Sequence, residues 1–148
     1  ISSVSSLSNL TKLRYLNLHK NKITSVAPLG GLVNLTELSI YMNELTNISA
    51  LSGLTNLETL NVFGNNISSI APLASLQNLS NLYADQNNIK NVSALAGLTK
   101  LRRVRLDHNA ITNVSPLAKP IGLTSLNLEW NNLNHNVIAK NEPLSEIN

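Results

Sequence analysis

Three acidic residues, Asp85, Asp107 and Glu129, recur every 22 residues. If each closes one strand of a parallel sheet, their carboxylates stack about 5 Å apart. Hard oxygen ligands in a column suit Ca²⁺, and that is the minor reading. The main one is a charged rim that steers a basic or mixed-charge partner. Like charges so close need compensation, and Arg103 and Arg105 lie beside Asp107 to supply it. Histidine chemistry has less support. His19 and His108 fall four repeats apart, about 19 Å on such a sheet, so they share neither a metal nor a proton. Ser39 and Ser125 have no neighbouring base, and no Gly-rich phosphate loop occurs. No catalytic residues and no cofactor are expected, and His108 reads as a contact residue.

The elements that carry these residues follow from a repeat. Asn21, Asn43, Asn65, Asn87, Asn109 and Asn131 share the 22-residue step. So do Leu16, Leu38, Leu60, Leu82, Val104 and Leu126, and Leu18, Ile40, Val62, Ala84, Leu106 and Leu128. The unit reads LxxLxLxxNxI, which predicts a leucine-rich repeat solenoid. Each unit supplies one short strand whose inward leucines cannot form a core alone. Stacked, the strands make a curved parallel sheet on the concave face. The return stretch is too short for a multi-turn helix, so 3₁₀ turns and extended chain are expected on the convex side. The class is α/β-type but mostly β. The six asparagines read as a structural ladder, each amide satisfying backbone where the chain leaves a strand and pairing with the copies above and below.

Residues 1–133 read as the repeats, with a partial unit at 1–10 and six strand-bearing copies over 11–133. Pro120 interrupts the leucine column of Leu10, Leu32, Leu54, Leu76 and Leu98. Residues 134–148 read as an irregular cap, degenerate repeat or tail. The end at Ile1 has no polar cap, so neighbouring sequence or a partner chain is expected to cover it. The oligomeric state is left open.

Bulk properties exclude little. The 148 residues suffice for a sizeable core, and an aromatic fraction of 3% makes that core aliphatic. A net charge of +3 is too mild to imply nucleic acid, and "KLRRVR" splits between the two faces. No apolar run is long enough for direct membrane insertion. With no cysteine, disulfides and thiolate metal sites are excluded.

The units resemble those of internalins, the leucine-rich repeat surface proteins of Gram-positive bacteria. The resemblance rests on the 22-residue period, on "LTNLETLNVFGNNISSIAPLASL" (Leu54 to Leu76), on "NLT" at Asn9 and Asn34, and on convex segments such as "VAPL" and "ISAL". Intracellular SDS22-like phosphatase regulators share the period. Internalin repeats usually carry Asp before the convex Val or Ile. Here Ser25, Asn47, Ser69, Asn91 and Asn113 take that place. The resemblance implies a bacterial cell-surface or secreted module whose concave sheet grips a protein partner. The alternatives are a cytoplasmic regulatory subunit that holds an enzyme, and a passive spacer.

The outward strand positions support the first of these. They hold all five aromatics of the chain, Tyr15, Tyr41, Phe63, Tyr83 and Trp130. Tyr41 and Phe63 share a column, Tyr83 lies on the diagonal, and Met42 lies alongside. An apolar patch mid-sheet marks an interaction surface, and aromatic anchors among polar residues are typical hot spots. The predicted ligand-binding set is Tyr15, Tyr41, Met42, Phe63, Tyr83, Asp85, Arg103, Arg105, Asp107, His108, Glu129 and Trp130.

Overall fold

The computed structural model describes residues 1–133. Six three-residue strands form one parallel sheet in chain order: β1 (Tyr15–Asn17), β2 (Glu37–Ser39), β3 (Thr59–Asn61), β4 (Asn81–Tyr83), β5 (Arg103–Arg105) and β6 (Ser125–Asn127). The register repeats the sequence period, with Leu16 facing Leu38, then Leu60, Leu82, Val104 and Leu126. The ladder runs on past each strand. The Leu18 N–H reaches the Ser39 carbonyl at 2.7 Å, and the Lys20 N–H reaches that of Tyr41 at 2.9 Å. Alternation along the strand sends Leu38, Leu60 and Leu82 inward and leaves their neighbours on the open face.

The convex side is made of 3₁₀ turns at Ser5–Leu7, Ala27–Leu29, Ser49–Gly53, Ala71–Ser75, Ser93–Leu95 and Ser115–Ala118. A polar residue opens each of the last five. Asn47, Asn91 and Asn113 accept backbone N–H bonds from Ser49, Ser93 and Ser115 at 2.7, 2.8 and 2.9 Å. Ser25 and Ser69 do the same at 3.3 Å. Any short acceptor can satisfy a free turn N–H. This accounts for Ser and Asn working where a carboxylate would also serve. Pro28, Pro72 and Pro116 fall in the first turn, where a missing N–H costs nothing. The leucines of both sides meet in one continuous aliphatic core.

Pro120 is buried in the place that Leu32 and Leu54 take elsewhere. Those leucines donate to the carbonyl three residues back, at 3.0 Å in both cases. A proline cannot. The following bond, from the Leu123 N–H to the Pro120 carbonyl at 3.1 Å, is kept. The segment read as a cap or tail, 134–148, lies outside the described residues.

Each turn leaves its strand through one left-handed residue. Lys20, Met42, Gln86, His108 and Trp130 have φ of 54, 53, 51, 54 and 54°, and Gly64 has 63°. The asparagine follows directly. Asn65 is typical: its Nδ2 donates to the carbonyls of Ile40 at 3.1 Å and Val62 at 3.0 Å, and its Oδ1 accepts the Leu45 N–H at 3.0 Å. Asn43, Asn87 and Asn109 repeat this while buried, and Asn131 while half-buried. Asn21 bonds the Leu18 carbonyl at 3.0 Å and the amino group of Ile1. The bonds run to the backbone of the asparagine's own turn and of the preceding one rather than to the next asparagine. A backbone partner is at hand at every level, so each amide is saturated without its copies.

Candidate functional site

One column of the concave face, just beyond the strand ends, holds His19, Tyr41, Phe63, Asp85, Asp107 and Glu129 in sequence. Its first half is a ring stack and its second half is acidic. The His19 and Tyr41 rings lie 4.5 Å apart and 5° from parallel, and the Tyr41 and Phe63 rings 6.0 Å apart at 35°. Such offsets suit the ring quadrupoles. Asn17 Oδ1 holds His19 Nδ1 at 2.5 Å, which fixes the imidazole over the tyrosine. Met42 is 46% exposed alongside. The ring that completes the stack is therefore His19, which lies outside the predicted ligand-binding set. Its only sequence signal was its place in the column.

The other aromatics stand apart from this stack. Tyr83, level with Asn61 in the sheet, joins Phe63 around a shallow hollow lined also by Asp85, Gln86 and Arg105. Tyr83 thus lies on the diagonal from Phe63, within its strand and off the column of the stack. Trp130 is 74% exposed and stacks on His108 at 5.6 Å. Tyr15 is exposed and accepts a bond from Asn17 Nδ2 at 3.2 Å.

The acidic half departs from a rim. Asp85 and Asp107 are only 3% and 6% exposed. Arg105 bridges them, with Nη2 at 3.2 Å from Asp85 Oδ2 and Nε at 3.7 Å from Asp107 Oδ1. The second contact is too long for a hydrogen bond. His108 Nδ1 sits 3.1 Å from Asp107 Oδ2. The Oδ1 atoms of both aspartates are buried and have no hydrogen-bond partner. Burial pushes the Asp85 carboxyl above its ordinary value. Its own backbone N–H and Arg105 act against that shift, and Asp107 reinforces it. Glu129 is exposed, and Arg103 is exposed on β5 outside these ion pairs. Of the two arginines only Arg105 supplies compensation, since its side chain reaches both aspartates. Among the described residues no three acidic or histidine groups converge as metal ligands. The Ca²⁺ reading of Asp85, Asp107 and Glu129 therefore has no geometric support. Two of its carboxylates turn inward to Arg105 and the third stays in solvent.

The fold and this face define a class: a repeat solenoid with an open sheet available for binding. The match of residues 2–129 to the leucine-rich repeat region family places the chain in that family. Its repeats are of the internalin type. The internalin inlF of Listeria monocytogenes superposes with a TM-score of 0.92 at 33% identity, over 93% of this chain and 41% of that one. Internalin C2 of the same species gives 0.83 at 42% identity, over 86% of this chain and 57% of that one. The chain thus spans less than two thirds of either. The leucine-rich repeat ectodomain of the Arabidopsis thaliana receptor kinase GASSHO1/SCHENGEN3, solved in complex with Casparian strip integrity factor 2, gives 0.78 at 25% identity, over 89% of this chain and 17% of that one. No match was found among the curated proteins. Regions of this family are typically non-enzymatic modules that bind protein ligands. No helix among the described residues is long and apolar enough to cross a membrane.

Proposed function

We propose that the chain is the binding module of a bacterial cell-surface or secreted protein and engages a protein ligand through its concave sheet. The observation that carries this reading is the His19–Tyr41–Phe63 stack, with Met42 exposed beside it. Rings on an open strand face add nothing to the aliphatic core. They present rigid, amphipathic contact area at small entropic cost, the kind that forms interface hot spots. The internalin likeness adds weight to a surface location, and a signal peptide or wall anchor in the full gene would decide it against a cytoplasmic regulator.

The test compares the wild-type chain with a Tyr41→Ala, Phe63→Ala double variant in capture of cell-surface proteins, followed by affinity measurement on the captured partner. The variant should melt within a few degrees of wild type, because neither ring lies in the core. Its affinity should fall more than about tenfold. Equal affinity would remove the concave stack as the binding face.

A further inference from the structure

The hollow of about 250 Å³ between the two halves of the column is lined by Asn61, Phe63, Tyr83, Asp85, Gln86 and Arg105. Two aromatic rings and a carboxylate border it. That carboxylate is almost wholly buried, yet its Oδ1 has no hydrogen-bond partner. Asp107, one turn on, is in the same condition. A single guanidinium serves both aspartates, and the His108 imidazole reaches only Asp107. Buried acceptors left unmade are costly, and charged ones most of all. Arg105 is also loosely held, because half of its side chain is exposed to solvent.

We propose that this hollow takes a basic side chain, lysine or arginine, from the protein ligand, and that Asp85 is its anion. The proposal rests on the concave-face reading and adds the chemistry of the contact. The incoming cation supplies the hydrogen bond that Asp85 lacks. Phe63 and Tyr83 offer ring faces to the same charge and cover its alkyl stem. Arg105 occupies the anion from within and competes with the ligand. It swings toward solvent when the ligand arrives. The chain as a whole is basic, so this acidic, aromatic-walled hollow is a local inversion of its charge. It selects partners by complementarity at that one point.

N-acetyl-lysine methylamide, N-acetyl-arginine methylamide and N-acetyl-norleucine methylamide serve as probes, titrated into the isotope-labelled chain by NMR. The cationic probes should shift the amides of Phe63, Tyr83, Asp85 and Gln86. Norleucine, with a similar stem and no charge, should not. A preference between lysine and arginine tells which group the ligand carries. Asp85→Asn should abolish the response. Arg105→Ala removes the internal competitor and should tighten binding about fivefold. The opposite signs of the two variants separate a site from general loss of structure. Equal shifts from norleucine, no localised shifts, or weaker binding in Arg105→Ala would overturn the proposal. If the probes are silent while Tyr41→Ala, Phe63→Ala still abolishes partner capture, the basic anchor fails and the binding face stands. If the probes bind but capture ignores that double variant, the cation site stands and the aromatic face fails.

Discussion

Gly64 is the one residue in its column with no side chain to strain. Five other residues hold φ near +50° without that freedom, and the left-handed region costs an ordinary residue about 1–2 kcal/mol. A Cβ added at Gly64 would lie 3.4 Å from Met42 Cγ, so space is not the obstacle. Gly64→Ala should therefore destabilise by about 1 kcal/mol through backbone strain, measured by urea unfolding, while the ring stack keeps its geometry. Asp85 couples stability to pH. Its folded carboxyl holds a proton at pH values where the unfolded one, near 3.8, has released it. The native state then binds more protons than the unfolded state across that window. Stability falls as pH rises through it and stays lower above it. Asp85→Asn mimics the neutral form, so it should raise Tm at neutral pH and lose that advantage below the ordinary carboxylate range. A lower Tm for the variant at neutral pH would mean that the Arg105 bridge outweighs burial.

At the scale of the element, the turn is held by its asparagine. Asn65 is 6% exposed and serves four backbone groups, the carbonyls of Ile40, Val62 and Phe63 and the N–H of Leu45. Asn65→Ala leaves these buried without partners and should cost about 3 kcal/mol. Asn21→Ala, at the half-buried first turn, should cost less, and equal losses would refute a ladder whose strength depends on burial. These asparagines and the leucine columns were legible in the sequence because every 22-residue unit puts one residue type in one environment. The left-handed column was not. Lys20, Met42, Gly64, Gln86, His108 and Trp130 share a backbone shape and no chemistry, so only the glycine hinted at it. The burial of Asp85 and Asp107 was hidden for a related reason. Outward strand parity puts a carboxylate in solvent, and what covers these two is an arginine that folds back across turns. The role of His19 depends on ring orientation, which a column of residue types does not carry.

Across the described residues, each strand packs on the neighbouring strands and each 3₁₀ turn on the neighbouring turns. Stability is then nearly a sum of units and of the interfaces between neighbours, and opening spreads from weak places. Leu38, Leu60 and Leu82 are at most 1% exposed, whereas Leu16 on β1 is only partly buried. Leu82→Ala should cost about 3 kcal/mol and Leu16→Ala about 1 kcal/mol. Backbone exchange should be slowest at Val62 and Ala84, which donate to the carbonyls of Tyr83 and Arg105, and faster at Leu18. Function inherits this gradient, because the ring stack begins on the β1 turn with His19 and reaches the protected centre only at Phe63. Loosening the first turn should therefore remove His19 from the stack while Phe63 keeps its place. Leu16→Ala alters no concave side chain, yet it should weaken the partner in proportion to the faster exchange at Leu18. If exchange quickens there and affinity holds, the binding surface begins at Tyr41 and the imidazole lies outside it.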